Sequence, residues 1–132
     1  MAQGSMPWPD MLKYSAEQKL LAKQLYFVLS RPANGLERIL EVADEHIDYQ
    51  RELEQQGIMF AAGPLATADE KHWEGEGAFV YRAESLEAAT KIAEADPMHA
   101  KGARRYEIRL WLVNEGNLGI DVLLSQNAFQ LR

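Results

Sequence analysis

The sequence contains no cysteine, which excludes disulfide bonds, thiolate nucleophiles and cysteine-ligated metal sites. Positive charge is scarce, because 14 lysines and arginines stand against 20 acidic residues and the formal net charge is −6. We therefore expect neither nucleic acid nor an anionic membrane as a partner. No apolar run reaches the roughly 20 residues of a membrane-spanning helix, and the N-terminus lacks a signal-peptide pattern. These absences predict a cytoplasmic protein.

Motifs for nucleotides and metals are also missing. The chain has no glycine-rich dinucleotide fingerprint and no phosphate-binding loop. Its three histidines show no His-x-x-x-His spacing, so a metal site made of His46, His99 and Asp96 is only a minor alternative. We expect no cofactor and no metal, which leaves proton transfer by side chains as the available chemistry.

Strand and helix patterns alternate along the chain. Branched and aromatic residues predict strands over 25–29, 58–62, 78–83 and 104–113. Apolar residues at three- and four-residue spacing predict helices over 36–56 and 86–95. This order, β-α-β-β-α-β, is typical of the ferredoxin-like α+β fold, with both helices on one face of a four-stranded antiparallel sheet.

We divide the chain into three parts. Residues 1–23 comprise an expression scar, up to Met6, and an N-terminal extension. Residues 24–115 form the α+β domain, and residues 116–132 form a C-terminal extension. The strands carry apolar residues on both faces and the tail is apolar too, so we expect a second copy to cover them. The predicted assembly is a homodimer that closes a barrel, with higher oligomers left open and the C-terminal extension against the partner.

The candidate chemistry centres on Asp96-Pro97-Met98-His99. Pro97 has no N–H and disfavours helical geometry at Asp96, so the second helix should end there and orient the carboxylate. A carboxylate at the negative end of a helix needs a nearby cation or imidazole. His46 lies at the edge of the apolar stripe of the first helix, where a histidine is either a structural residue or an acid–base catalyst.

The other candidate residues have structural interpretations beside the functional ones. Tyr49 either donates a hydrogen bond to a substrate or packs against the sheet. Arg104 and Arg105 either lie at the surface where a strand starts or hold an anionic ligand. His99 is close enough in sequence to share a site with Asp96, or it is a residue of a polar turn. The pair Gly63-Pro64 is first of all a backbone device that ends a strand.

Several segments occur in a specific order between residues 24 and 115. They are the helix carrying His46 and Tyr49, Gly57-Ile-Met-Phe-Ala-Ala-Gly63-Pro64, Ser85-Leu-Glu-Ala-Ala, Asp96-Pro97-Met98-His99, and Arg105-Tyr-Glu-Ile-Arg-Leu-Trp111. In this order and spacing the chain resembles the YCII-related family of dimeric α+β barrels. One departure is Leu110, where the family usually has proline before the tryptophan.

The resemblance implies a catalytic pair, His46 with Asp96, at a small-molecule pocket in each subunit. Characterised members include a dehydrochlorinase of a chlorinated hydroxyhydroquinone. The function expected is thus that of a cofactor-free lyase or isomerase acting on a small oxygenated or halogenated ring compound. The substrate-binding residues that we expect are Tyr49, Gly63, Pro64, His99 and Arg105. A non-catalytic module that binds a ligand in the same pocket, and a cofactor-free oxygenase of similar fold, are the alternatives.

Overall fold

The structure of the protein is a computed structural model that describes residues 4–132, so the first three residues of the predicted scar lie outside the described residues. The chain forms two compact units. One comprises residues 24–111, and the other comprises residues 4–23 together with residues 112–132. Within the described residues, no helix is long and apolar enough to cross a membrane.

A four-stranded antiparallel sheet is the framework of the fold. The strands are β1 (Lys23–Pro32), β2 (Met59–Pro64), β3 (Gly77–Tyr81) and β4 (Arg104–Val113). They lie in the order β2-β3-β1-β4. Val28 lies opposite Phe79 in the β1–β3 pair, and the β2–β3 pair has a register shift between Met59 and Ala61.

Helices follow β1 and β3, which confirms the predicted βαββαβ order and the ferredoxin-like α+β class. They are α2 (Gly35–Gln55), α3 (Leu86–Ala95) and the short α4 (Pro97–Ala100), and α1 (Trp8–Glu17) precedes the sheet. Phe79 and Tyr81 of the sheet are buried together with Leu53 of α2 and Ala93 of α3. Each large apolar side chain buried in this way contributes about 1.5–3 kcal/mol. Both helices therefore cover the same face of the sheet, as predicted.

The buried stripe of α2 differs from the stripe that we predicted. The apolar face predicted for this helix was Leu36, Ile39, Leu40, Ala43, Ile47, Gln50 and Leu53. Ile39 and Leu53 are buried as predicted, but Leu36, Leu40 and Ile47 are 39%, 59% and 44% exposed. The residues buried on α2 are Ile39, Val42, His46 and Leu53. The helix is thus rotated so that His46 lies within the buried stripe rather than at its edge. This is tolerated because a carboxylate on another element satisfies the imidazole.

That carboxylate lies where α3 gives way to α4. Asp96 has extended backbone angles, φ −63° and ψ 126°, so α3 ends at Ala95, two residues before Pro97. Asp96 is also the N-cap of α4, because its Oδ1 accepts a hydrogen bond from the Met98 N–H at 2.9 Å. The position of Asp96 between α3 and α4, together with the hydrogen bond from the Met98 N–H, fixes the orientation of its carboxylate.

The second unit contains a hairpin near the C-terminus. Strands β5 (Ile120–Leu123) and β6 (Ala128–Leu131) pair antiparallel, with Val122 opposite Phe129. The sequence predicted only an apolar segment starting at residue 120. Val122 and Phe129 are 70% and 78% exposed. Contact of this segment with a partner subunit stays a prediction.

Candidate active site

A cavity of about 660 Å³ lies between α2 and the edge strand β2. This volume is within the range of roughly 300–1,000 Å³ that small-molecule sites occupy. Apolar side chains form most of its wall, and Phe79 and Met98 of the core reach it. The lining residues are Ala43, His46, Ile47, Gln50, Arg51 and Glu54 of α2, 59–64 of β2, and Ala66, Trp73, Gly77, Phe79, Met98 and Arg104.

His46 and Asp96 form a buried pair at this cavity. The His46 Nδ1 atom lies 2.8 and 2.9 Å from the two carboxylate oxygens of Asp96. Asp96 is fully buried, and His46 is 9% exposed. An ionised carboxylate only accepts hydrogen bonds, so Nδ1 carries the hydrogen and donates it to Asp96.

The other ring nitrogen of His46, Nε2, is not used by the contact with Asp96. In residues 4–132, Nε2 of His46 has no hydrogen-bond partner, and the side chain lines the cavity. The imidazole packs on Phe79 with 5.5 Å between ring centroids, which restricts its orientation. A histidine held by a carboxylate at Nδ1 has the tautomer that can take a proton at Nε2.

Gly63 and Pro64 are the expected substrate-binding residues that line the cavity. They end β2, which is an edge strand, and their partners across the sheet are Ala78 and Gly77 of β3. A Cβ added at Gly63 would meet nothing within 4 Å, so no neighbour demands a glycine there. Their contribution is to the shape of the wall.

Tyr49 is not among the lining residues. It follows His46 by three positions on α2, but its hydroxyl donates a hydrogen bond to the Ile92 carbonyl of α3 at 2.7 Å. Burial raises the pKa of Tyr49 to about 12, and the charges of Asp96 and Glu52 add to this rise. The structure therefore gives Tyr49 a position that ties α2 to α3.

His99 does not line the cavity either. Its Nδ1 donates to the Ala93 carbonyl at 2.6 Å, and its Nε2 accepts from the Ser30 hydroxyl at 2.7 Å. Burial lowers the pKa of His99, so the ring is neutral at pH 7. Arg105, the last of the expected substrate-binding residues, is exposed on β4 and lies outside the cavity lining.

Arg104 lines the cavity, although we expected Arg105. Its side chain is 5% exposed, and its Nε donates to the Gly75 carbonyl at 2.8 Å. The alternation of side chains along β4 predicts that Arg104 faces the cavity side of the sheet. Residues 106, 108 and 110 of β4 face the helices, and the same period of two brings residue 104 to that face.

The loop from residue 66 to residue 76 also contributes to the cavity. Trp73 lines it, and the indole Nε1 donates to the Glu76 carbonyl at 2.8 Å, which fixes the ring within its own loop. The sequence gives only an aromatic residue inside a polar loop at this point. Within the described part of the chain, no group of three His, Asp or Glu side chains is arranged to hold a metal ion.

One of the three comparisons with known proteins shows a family for this chain. A family model, the YCII-related domain, matches residues 24–112. A search of curated proteins gives no match. A similar solved structure is 5-chloro-2-hydroxyhydroquinone dehydrochlorinase from Burkholderia phenoliruptrix in complex with 2,5-dihydroxybenzoquinone, which is 20% identical with a TM-score of 0.49 and covers 65% of this chain and 92% of its own. The family match includes the whole sheet core and both members of the histidine–aspartate pair, and the chain belongs to the YCII-related family.

Proposed function

We propose that the protein is a cofactor-free acid–base enzyme, a lyase or isomerase, that acts on a small oxygenated or halogenated ring compound. The observation that carries this proposal is the buried His46–Asp96 pair at the wall of a cavity of ligand size. Family membership supports it, because the resemblance in sequence implies the same pair. The apolar wall suits a ring, and the free Nε2 of His46 suits proton transfer.

The proposed reaction starts when Nε2 of His46 takes a proton from the bound compound. The proton gives an imidazolium whose Nδ1–H stays on the Asp96 carboxylate, and the negative charge stabilises the cation. In an elimination such as dehydrochlorination, the electron pair left by the proton forms a double bond as chloride leaves. In an isomerisation, the imidazolium returns the proton to a different atom. A positioned base of this kind contributes a rate factor of roughly 10²–10⁴.

The variant that tests this function is Asp96→Asn. The amide keeps the shape of the side chain but removes the charge that stabilises the imidazolium, so we expect kcat/KM to fall by orders of magnitude. Turnover is measured on a panel of chlorinated hydroquinones and lactones, and thermal unfolding checks the fold. Asp44→Asn, at an exposed position of the same helix as His46, is the matched control.

Unchanged turnover in the asparagine variant would contradict the proposed mechanism. The panel also separates catalysis from the alternative of a ligand-binding module. Compounds that bind tightly and are all recovered chemically unchanged after long incubation would establish binding without turnover.

We also propose that the protein is a cytoplasmic homodimer, joined through the sheet face opposite to α2 and α3. Phe27 and Trp111 lie on this face with their rings 6.1 Å apart, and Trp111 is 46% exposed. An obligate interface of this kind buries roughly 2,000 Å² or more.

Light scattering should give a dimeric mass at micromolar concentration, and a monomeric mass would overturn the assembly. Removal of residues 119–132 should weaken it if the C-terminal extension contacts the partner.

A further inference from the structure

The Arg104 guanidinium is a buried cation with few partners. It has five N–H donors, and Nε donates a hydrogen bond to the Gly75 carbonyl. The terminal Nη1 atom is buried and has no hydrogen-bond partner. Within residues 4–132, no carboxylate forms a salt bridge with the side chain. A buried guanidinium in this state is energetically costly, because its N–H groups have lost water without gaining acceptors.

The surroundings do not supply the missing acceptors. Asp96 is a buried carboxylate whose charge acts on Arg104, but both of its oxygens contact His46. Burial lowers the pKa of Arg104, while the charges of Asp96 and Glu76 act in the opposite direction. An arginine stays protonated in spite of such a shift, so the positive charge persists in the wall of the cavity.

The position of Arg104 relative to the catalytic pair fits one bound ring. The Phe79 ring centroid lies 5.5 Å from that of His46 and 6.0 Å from Arg104 Cζ, and all three side chains line the cavity. Gly77 lies beside the guanidinium, where a Cβ would come within 3.3 Å of Nη1 and 3.5 Å of Nη2. The absence of that Cβ keeps space open next to the unpartnered Nη1.

We propose, building on the proposed function, that Arg104 binds an anionic oxygen of the substrate, a carboxylate or a phenolate, while His46 exchanges a proton with the same ring. The charged residues that line the cavity are two arginines, Arg51 and Arg104, and one glutamate, Glu54. The excess of positive charge favours an anionic ligand. The planar fork of arginine suits two parallel hydrogen bonds to a carboxylate. Neutral rings of the same size are therefore poor ligands of this site.

The test compares benzoate with benzamide, which have the same shape and differ in charge. Affinities are measured by calorimetry at about pH 8, where a carboxylate is ionised and an ordinary imidazole is neutral. We expect the unmodified protein to bind benzoate roughly 10- to 100-fold more tightly than benzamide. Equal affinities, or no measurable binding of benzoate, would overturn the inference without any variant.

Two variants assign the preference to one side chain. Arg104→Met keeps an unbranched apolar stem but removes the charge, so we expect benzoate to bind as weakly as benzamide, whose affinity is unchanged. Arg105→Met is the matched control, because its exposed side chain belongs to the next residue of β4 and does not line the cavity. If the methionine variant fails to fold, Arg104→Gln keeps an N–H donor for the Gly75 carbonyl and must show the same loss. A preference for benzoate that survives either neutral variant would contradict the assignment.

The outcomes also separate this inference from the proposed function. Turnover that persists in Asp96→Asn rejects the catalytic pair but leaves the benzoate preference untouched. Equal binding of benzoate and benzamide rejects the anion site but leaves the catalytic pair untouched.

Discussion

His46 and His99 both pack against Phe79, with centroid distances of 5.5 and 6.2 Å, yet they use their ring nitrogens differently. His99 has both nitrogens occupied, by the Ala93 carbonyl and the Ser30 hydroxyl. His46 has one nitrogen on a carboxylate and the other without a partner in the described part of the chain. Burial and proximity to one aromatic ring thus do not decide what a histidine can do.

The difference lies in what each partner does to a proton on the ring. The Asp96 carboxylate accepts the Nδ1 hydrogen of His46 and places a negative charge beside the ring. The environment of His99 disfavours the charged form, because burial is the largest influence on its pKa. The role that we propose for His46 is therefore proton transfer at Nε2, whereas His99 joins the end of α3 to β1 as a neutral ring.

Replacing each histidine by glutamine should distinguish the proposed base, His46, from the structural residue, His99, by the largest effect. His46→Gln removes the base, and we expect kcat/KM to fall roughly 10²- to 10⁴-fold. His99→Gln leaves the cavity wall intact, so turnover should stay within a few-fold. The cost there appears in stability, about 1–3 kcal/mol from buried hydrogen bonds that glutamine does not replace, measured by urea denaturation. His72→Gln, at an exposed loop position, serves as the control for both.

Equal losses of turnover in the two buried variants would contradict the distinction between a catalytic and a structural histidine. Such a result would mean that the Ser30–His99 hydrogen bond is needed to position the catalytic pair.

The pH dependence of the free energy of unfolding should report the lowered pKa of His99. Burial, together with the charges of Arg104 and His46, lowers the pKa of His99, although the Ala93 carbonyl and Asp96 oppose the shift. Between this lowered value and about 6.5, the unfolded chain binds more protons than the folded chain. The free energy of unfolding therefore falls as the pH drops below about 6.5, and it keeps its full value above that pH.

The part of this fall that belongs to His99 is the part that disappears in His99→Gln. Urea midpoints measured from about pH 7.5 down to pH 5 give the two curves. Parallel curves for the unmodified protein and the variant would show that His99 does not contribute to the slope.

The sequence predicts the fold well because its signals are local. Pro97 ends α3 by removing a hydrogen-bond donor, and the alternation in β4 gives the strand over the same residues, 104–113, as the structure does. The pairing of His46 with Asp96 came from the family resemblance. The two residues are 50 positions apart, and spacing alone does not show that they meet.

The sequence-based predictions are wrong where a contact with a residue distant in sequence decides whether a side chain is buried. Counting apolar residues on α2 placed His46 at the edge of the stripe, because the count treats a histidine as polar even when a buried carboxylate satisfies it. The alternation along β4 indicates that Arg104 faces the helices, but it does not show that the guanidinium is buried beside a cavity. Likewise, Tyr49 and His99 are close in sequence to His46 and Asp96, but the helix geometry directs them to the carbonyls of Ile92 and Ala93.

The smallest expected effect is that of Tyr49→Phe, which asks whether a polar group one helical turn from His46 belongs to the site. The hydroxyl donates to the Ile92 carbonyl, so its removal should cost about 1 kcal/mol of unfolding free energy. Turnover should be unchanged, since Tyr49 does not line the cavity. A rise in KM for hydroxylated substrates, with stability unaffected, would instead assign Tyr49 to substrate binding. Steady-state kinetics and urea denaturation on one preparation separate these outcomes, because a link between α2 and α3 affects stability, whereas a substrate contact affects KM.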